Sequence, residues 1–577
     1  MMSAAVRLRV HAAVFCCLLA LSLQIWAHIV TSSPTFDEPY HITRAYIFLR
    51  TGDQALLARG GHPHLGNMLS VTPLLLLEDL RLPPHEPGWP QVRTFKDLFA
   101  VADTFFWRLG NDVDQVMIWS RFSGLLLAAF LGLAIFLWAK QLYGTPAGLL
   151  SLLFFTFDPN IVAHSGLVTT DLGGTLFIFL ALYSLWRFCQ RPSWSRLVAT
   201  GVVLGMAQAS KFSALFLIPT FVVLLAAAVT GPEGPKLAAL TPGRAMGGTQ
   251  GRRLIVLAGV CIVMFLVGGL VVWATYGFDV RYLVPPKATH PVLDRYIPAN
   301  IPQLKAWVYA IAEHLPVPAP SYWGDLAWLV RYARAGHASF LAGLRGVEGW
   351  WYYFPIAFAI KTPIPTLLAL GIAAVFSLRN RGHWRRDASL WLPMWMFAVV
   401  SISSSIDIGY RNLLPILPLA FVLVGQLATV LCSKRSRVIG VLLGIWLIAG
   451  TLRIAPHYLA YFNEAVGGPA NGYRYLVDSN LDWGQDLKNL KRYADARGID
   501  QVHLSYFGTC DPAYYGLNAL PMPTAPPAEG SEPAYYAISA TNLQSVYGSS
   551  KGDAHWLSRY TAVDTVGYSI LIYRLPQ

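Results

Sequence analysis

Thr35-Phe36-Asp37-Glu38-Pro39-Tyr40-His41 lies just beyond an apolar run, Val10–Val30, and brings two adjacent carboxylates to its end. Ionisable groups are expensive beside hydrocarbon, so an acidic pair at the edge of a membrane span marks a candidate functional site. Taken alone, a solvated juxtamembrane loop that happens to be acidic explains the pair equally well. The rest of the chain decides.

Composition fixes the solvent. Of 577 residues, 55% are hydrophobic and 13% charged, whereas a soluble chain carries about a quarter charged residues. The missing charge is replaced by lipid-facing surface, which makes this a polytopic α-helical membrane protein. A net charge of +13 could suit nucleic acid. The basic residues, however, form short clusters between apolar segments, which sets membrane orientation and implies no nucleic-acid partner. Cys16, Cys17, Cys189, Cys261 and Cys432 fall in or beside apolar segments and leave Cys510 alone, so no disulfide framework or metal-ligand spacing is visible.

Spans of about 17–25 residues are expected. The first, Val10–Val30, lacks a small-x-small cleavage site and reads as retained, not as a signal peptide. Val116–Ala139, Ala147–Ala163, Leu172–Phe188, Leu254–Tyr276, Phe354–Leu378, Leu390–Ile406, Leu413–Cys432 and Val438–Ala455 follow. The run Leu197–Val229 is too long for one span and is interrupted by Lys211. The clusters Arg7/Arg9, Lys140, Arg187/Arg191/Arg196, Lys236/Arg244/Arg252/Arg253, Arg379/Arg381/Arg385/Arg386 and Lys434/Arg435/Arg437 share the cytoplasmic side only if that run crosses twice. About eleven spans result, with the amino terminus inside and the carboxyl terminus outside.

This topology divides the chain into a transmembrane part, 1–456, and an outer carboxyl-terminal domain, 457–577. Large outer loops are expected at 31–115 and 277–353. Asn67–Leu77 is apolar but too short to span and suits the interface. Gly349–Phe354 suits an aromatic belt. In the tail, a helix over Leu487–Arg497 and strands over Val502–Phe507, Ala534–Ser539 and Ser569–Leu575 predict a small α/β module.

Charged residues gather at one leaflet boundary: Asp37, Glu38, Arg121, Asp171, Lys211, Asp407 and Arg411. Cations there would hold a phosphate, and a carboxylate would activate an acceptor. Structural ion pairs are the alternative, Asp407–Arg411 at four-residue spacing among them. His62 and His64 read as interfacial loop residues, not ligands.

Asp37-Glu38 after span one, an arginine opening span two, a short turn ending in Asp171, and Lys211 between two short spans resemble the GT-C glycosyltransferases. Within them the chain is similar to the protein O-mannosyltransferase and lipid A aminoarabinose transferase branch. Gly336-His337 to Lys361-Thr362-Pro363, Ile408-Gly409-Tyr410-Arg411-Asn412-Leu413-Leu414-Pro415 and Asp478-Ser479-Asn480-Leu481-Asp482-Trp483-Gly484-Gln485-Asp486-Leu487 resemble its prokaryotic phospholipid-carrier-dependent subgroup. The tail departs from the mannosyltransferases in having no MIR-type repeats. The resemblance implies an inverting transfer from a polyprenyl-phosphate-linked sugar to a hydroxyl of a protein, glycan or lipid, on the outer face of a prokaryotic plasma membrane. It implies Asp37 as base and Glu38 as a group that positions the acceptor or a neighbouring cation, with Arg411, Lys211 and Arg121 as candidates for the donor phosphate and Asp171 as second acidic motif. No metal or cofactor is implied. A secondary transporter or flippase of lipid-linked sugars is the competing reading. It would show related halves with broken segments at the midplane.

Overall fold

The computed structural model describes residues 3–57, 60–84, 89, 91–92, 94–231, 234, 237, 250–282, 301–379, 384–430, 433–528, 530–548 and 554–576. Lys236, Arg244, Arg381 and Cys432 lie outside the described residues, as do the side chains of Arg252, Arg385 and Arg386. Among the described residues, seven helices are long and apolar enough to cross a membrane, and nine if two bent pairs each count once. Val113–Tyr143 shows how such a helix is bounded. Asp112 accepts from the Gln115 amide at 3.0 Å, and Gly144 ends the helix with φ +95°.

The run that sequence reading split at Lys211 is split there. Trp194–Ser210 ends where Lys211 turns extended (φ −156°, ψ 133°), and Phe212–Thr230 follows. Together with the shorter apolar helix Asp387–Ile402, Trp194–Ser210 occupies the place of an expected span. Gly201 and Gly205 let Trp194–Ser210 close on Gln250–Thr275, since a Cβ at Gly205 would come within 2.5 Å of the Gly268 carbonyl.

Two expected spans are not straight. Thr145–Thr156 and Pro159–Ser165 meet at 65°, and Tyr353–Lys361 and Ile364–Arg379 at 113°. Asp158 caps Pro159–Ser165 by accepting the Asn160 and Ile161 amides, and Pro363 opens the second break. A proline cannot donate into the preceding turn, so both bends fall where helix hydrogen bonds are already lost. Asn67–Leu77 is, as expected, too short to span. It folds as Leu65–Val71 and Thr72–Leu76, with Asn67, Ser70, Val71 and Leu74 buried in protein, and Leu76 is left exposed.

The tail carries the helix Leu487–Arg497 and a five-stranded mixed sheet in the order Ala519–Pro521, Val502–Ser505, Ala534–Ser539, Ile570–Leu575, Asp564–Val566. The two short edge strands were not foreseen. Residues 457–486 join this module to the helices: Lys361 donates to Leu459 O at 2.9 Å and also to Asn480 O, and the Tyr410 amide donates to Asn480 Oδ1 at 2.8 Å.

Candidate active site

The Asp37-Glu38 stretch is clamped from two sides. Its Ser33 and Phe36 amides donate to the Gln485 and Trp483 carbonyls at 2.9 and 2.8 Å, and Cys510 Sγ sits 3.2 Å from the Pro34 carbonyl. From the other side, Arg121 in Val113–Tyr143 donates to the Ile29, Ser32 and Ser33 carbonyls. With its backbone groups paired this way, the turn gives each carboxylate a fixed direction.

Glu38 turns inward. Its Oε1 accepts from Arg121 Nε at 2.9 Å and Val168 N at 2.8 Å. Its Oε2 accepts from Arg121 Nη2 at 2.6 Å, Thr35 N at 2.8 Å and Thr35 Oγ1 at 3.0 Å. Burial would raise its pKa, but Arg121 and the two amides hold it below the ordinary carboxylate value. Glu38 and Arg121 are both absent from the cavity wall described next. Glu38 and Arg121 thus pair with each other behind the cavity wall, Glu38 positioning a neighbouring cation.

Asp37 turns outward, onto the wall of a cavity of about 920 Å³. Asp171, Lys211 and Arg411 line the same cavity. Arg411 Nη1 lies 3.5 Å from Asp37 Oδ2 and 3.9 Å from Asp171 Oδ2, and Lys211 Nζ lies 2.5 Å from Asp171 Oδ1. Thr169 Oγ1 donates to Asp171 Oδ2 at 3.0 Å and completes that carboxylate's shell. The Trp483 ring, 4.3 Å from the Arg411 carbon, holds the guanidinium from its other face. Four of the seven charged residues singled out from sequence, Asp37, Asp171, Lys211 and Arg411, thus meet at one cavity. The suspected Asp407–Arg411 pair does not form: Asp407 Oδ2 accepts the Trp350 amide at 2.6 Å.

Burial pushes the Asp37 carboxyl up to about 6, the positive charge of Arg411 opposing and the negative charge of Asp478 reinforcing the rise. His62 lines the cavity too, contrary to its reading as an interfacial loop residue. Burial, with Arg44 and Arg411 near, lowers it to about 3, so it stays neutral. Among the described residues, no group of three or more His, Cys, Asp or Glu is placed to hold a metal.

Asp478, Trp483 and Trp328 are among the cavity residues not singled out from sequence. The first two stand in the quoted stretch Asp478–Leu487, whose density of acids was a usable signal. Trp328, in the helix Pro320–Ala335, carried none.

Residues 102–240 match the family described as dolichyl-phosphate-mannose-protein mannosyltransferase, a segment that contains Arg121, Asp171 and Lys211. A search of curated proteins returns no match. Among solved structures, the chain is similar to ArnT from Cupriavidus metallidurans bound to undecaprenyl phosphate, at 12% identity and TM-score 0.46, covering 96% of this chain and 97% of that one. It is similar to the S. cerevisiae protein O-mannosyltransferase Pmt1-Pmt2 complex bound to the sugar donor, at 18% identity and TM-score 0.33, over 47% of this chain and 33% of that one. The archaeal oligosaccharyltransferase AglB from Archaeoglobus fulgidus matches at 11% identity and TM-score 0.44, over 92% of this chain and 62% of that one.

Proposed function

We propose that this chain, a GT-C glycosyltransferase of the mannosyltransferase-like branch, moves a sugar from a polyprenyl-phosphate-linked donor to an acceptor hydroxyl at the outer face of the membrane. The observation that carries the reading is the single cavity in which Asp37 faces the cations Arg411 and Lys211. Phe212, Phe354, Phe397 and Val400 line the same cavity and suit the isoprenoid end of a donor. The distribution of basic loops supports an amino terminus in the cytoplasm and a site on the outer face, and the resemblance to the prokaryotic subgroup supports a prokaryotic plasma membrane.

The chemistry follows from the placement. Asp37 accepts the acceptor hydroxyl's proton as the oxygen bonds to the anomeric carbon. The bond from that carbon to the lipid phosphate breaks on the opposite face, and the phosphate leaves with the electron pair. Arg411 offers a planar fork to the departing phosphate, and Lys211 a point charge. Asp171 holds both cations in place before the donor arrives. Glu38 and Arg121 fix the turn that aims Asp37 and touch neither substrate.

Asp37→Asn keeps the size of the side chain and removes the base, so donor-lipid phosphate release should fall by about a hundredfold to ten-thousandfold while donor affinity holds. A base must be deprotonated, and burial raises Asp37 to about 6. The kcat/KM of the wild type should therefore rise with pH through about 6 and flatten above it. Near-normal turnover in the Asn variant would remove Asp37 from this role.

A further inference from the structure

The cavity has a second wall, built by the carboxyl-terminal part of the chain, to which the proposed transfer gives no task. Asp478 stands on it. Lys211 and Arg411 are drawn to Asp37 and Asp171, and among the described residues Asp478 makes no ion pair. Its Oδ1 accepts the Ser479 amide at 2.5 Å and its Oδ2 accepts the Tyr547 hydroxyl. Its backbone sits at φ +57°, held there in part by the bond from its amide to Thr541 Oγ1 at 3.0 Å. Non-glycine residues keep this conformation only where their surroundings enforce it, and they concentrate at functional sites.

Aromatic rings lead from this carboxylate to the base. Tyr547 stacks on Phe507 at 5.5 Å and 4°, and Phe507 on Phe36 at 5.2 Å and 22°, one residue before Asp37. Tyr547 keeps 39% of its surface open. Asn542 lines the cavity beside it and donates to Ser505 at 3.1 Å.

We propose that this wall is the acceptor subsite and that it receives an uncharged, ring-shaped polyhydroxyl group, a sugar residue. The assignment rests on the transfer reading above and adds the class of acceptor. The C–H face of a sugar ring packs on an aromatic wall, and its hydroxyls donate to a carboxylate and pair with an amide. An anionic acceptor meets repulsion from Asp478, because the cations nearest to it in the cavity, Arg411 and Lys211, are already engaged by Asp37 and Asp171. An extended peptide finds no free strand edge there, because Val502–Ser505 is flanked on both sides by other strands.

Saturation-transfer NMR on the full-length protein in nanodiscs tests this. The probes are methyl α-mannopyranoside, glucose 6-phosphate and a neutral, end-blocked hexapeptide containing Ser and Thr. With polyprenyl phosphate added to fill the Arg411–Lys211 site, wild type should transfer saturation to the ring protons of the neutral glycoside and not to the sugar phosphate. Tyr547→Phe keeps the ring, removes the bond to Asp478, and should weaken glycoside binding by about threefold to tenfold. Tyr547→Ala should abolish it. Asp478→Asn tolerates the same backbone and should admit glucose 6-phosphate. A glycoside signal that is the same in all variants overturns the proposal, as does a Tyr547-dependent signal from the peptide alone. Glycoside binding that depends on Tyr547, without turnover that depends on Asp37, would leave the subsite standing and remove the transfer reading. Turnover that depends on Asp37, without Tyr547-dependent binding, would do the reverse.

Discussion

Glu38 accepts five hydrogen bonds, two of them from Arg121, with no side-chain surface open, whereas Asp37, one residue earlier, has 21% of its side chain open and a cation only at 3.5 Å. Two carboxylates adjacent in sequence therefore carry opposite loads. In one, burial is more than offset by close donors, which keeps the group ionised and immobile. In the other, burial is only partly offset, which keeps the group basic and reachable. The same division separates their arginines: Arg121 is saturated by carbonyls and Glu38, while Arg411 reaches into the cavity.

The comparison breaks most sharply at Glu38. Glu38→Gln leaves Arg121 as a buried cation without its counter-charge, a loss of about 3–5 kcal/mol. Asp37→Asn should leave the thermal midpoint of the purified protein nearly unchanged. Thermal unfolding in detergent measures both. A Glu38→Gln protein as stable as wild type, with turnover lost, would place Glu38 in the chemistry and erase the distinction. The ionised Glu38 is favoured in the fold, so its contribution is present at neutral pH and is lost on acidification through its lowered pKa.

A second, smaller effect sharpens the arginine half. Arg411→Lys keeps the charge and removes the fork, and should weaken donor binding roughly tenfold to a hundredfold with folding intact. Arg121→Lys should instead lower stability and leave donor affinity in the surviving protein as it was. Donor titration against the two purified variants separates them. Equal losses of affinity would put both arginines on the phosphate.

How much of this was legible depended on range. The break at Lys211 could be read from sequence because a charge inside an apolar run leaves few folded solutions. The helix Leu487–Arg497 and the strand Ala534–Ser539 follow from local periodicity and match residue for residue. That Asp37 gathers with Asp171, Lys211 and Arg411 was also readable. Which carboxylate faces the cavity was not, because Gln485, Trp483 and Arg121 set the direction of the turn from distant parts of the chain. Asp478 escaped for the same reason, since its neighbour Tyr547 lies 69 residues further on. The bends at Asp158 and Thr362 showed only as prolines within apolar runs, a pattern that straight spans also tolerate.

The smallest expected effect falls at Asp407. Four residues before Arg411, it is the natural helical partner for that guanidinium, and a structural pair between them would have removed Arg411 from the donor site. The segment is not helical at that point: residues 405–409 are irregular, and the 3-10 turn Tyr410–Ile416 begins only beyond them. Asp407 instead faces the turn at Gly349, where its Oδ2 accepts the Trp350 amide at 2.6 Å, and burial raises its carboxyl to about 6. Asp407→Asn keeps an acceptor for that amide and removes a charge that the site already disfavours, so stability should change by about 1 kcal/mol or less. Donor affinity should stay within about twofold of wild type, because Arg411 is oriented by Asp37, Asp171 and the Trp483 ring. Donor titration of Asp407→Asn beside Arg411→Lys decides it. A fall in affinity that tracks the Arg411 variant would show that Asp407 holds the arginine in place after all, and would return the pair to the structural role that its spacing in the sequence suggests.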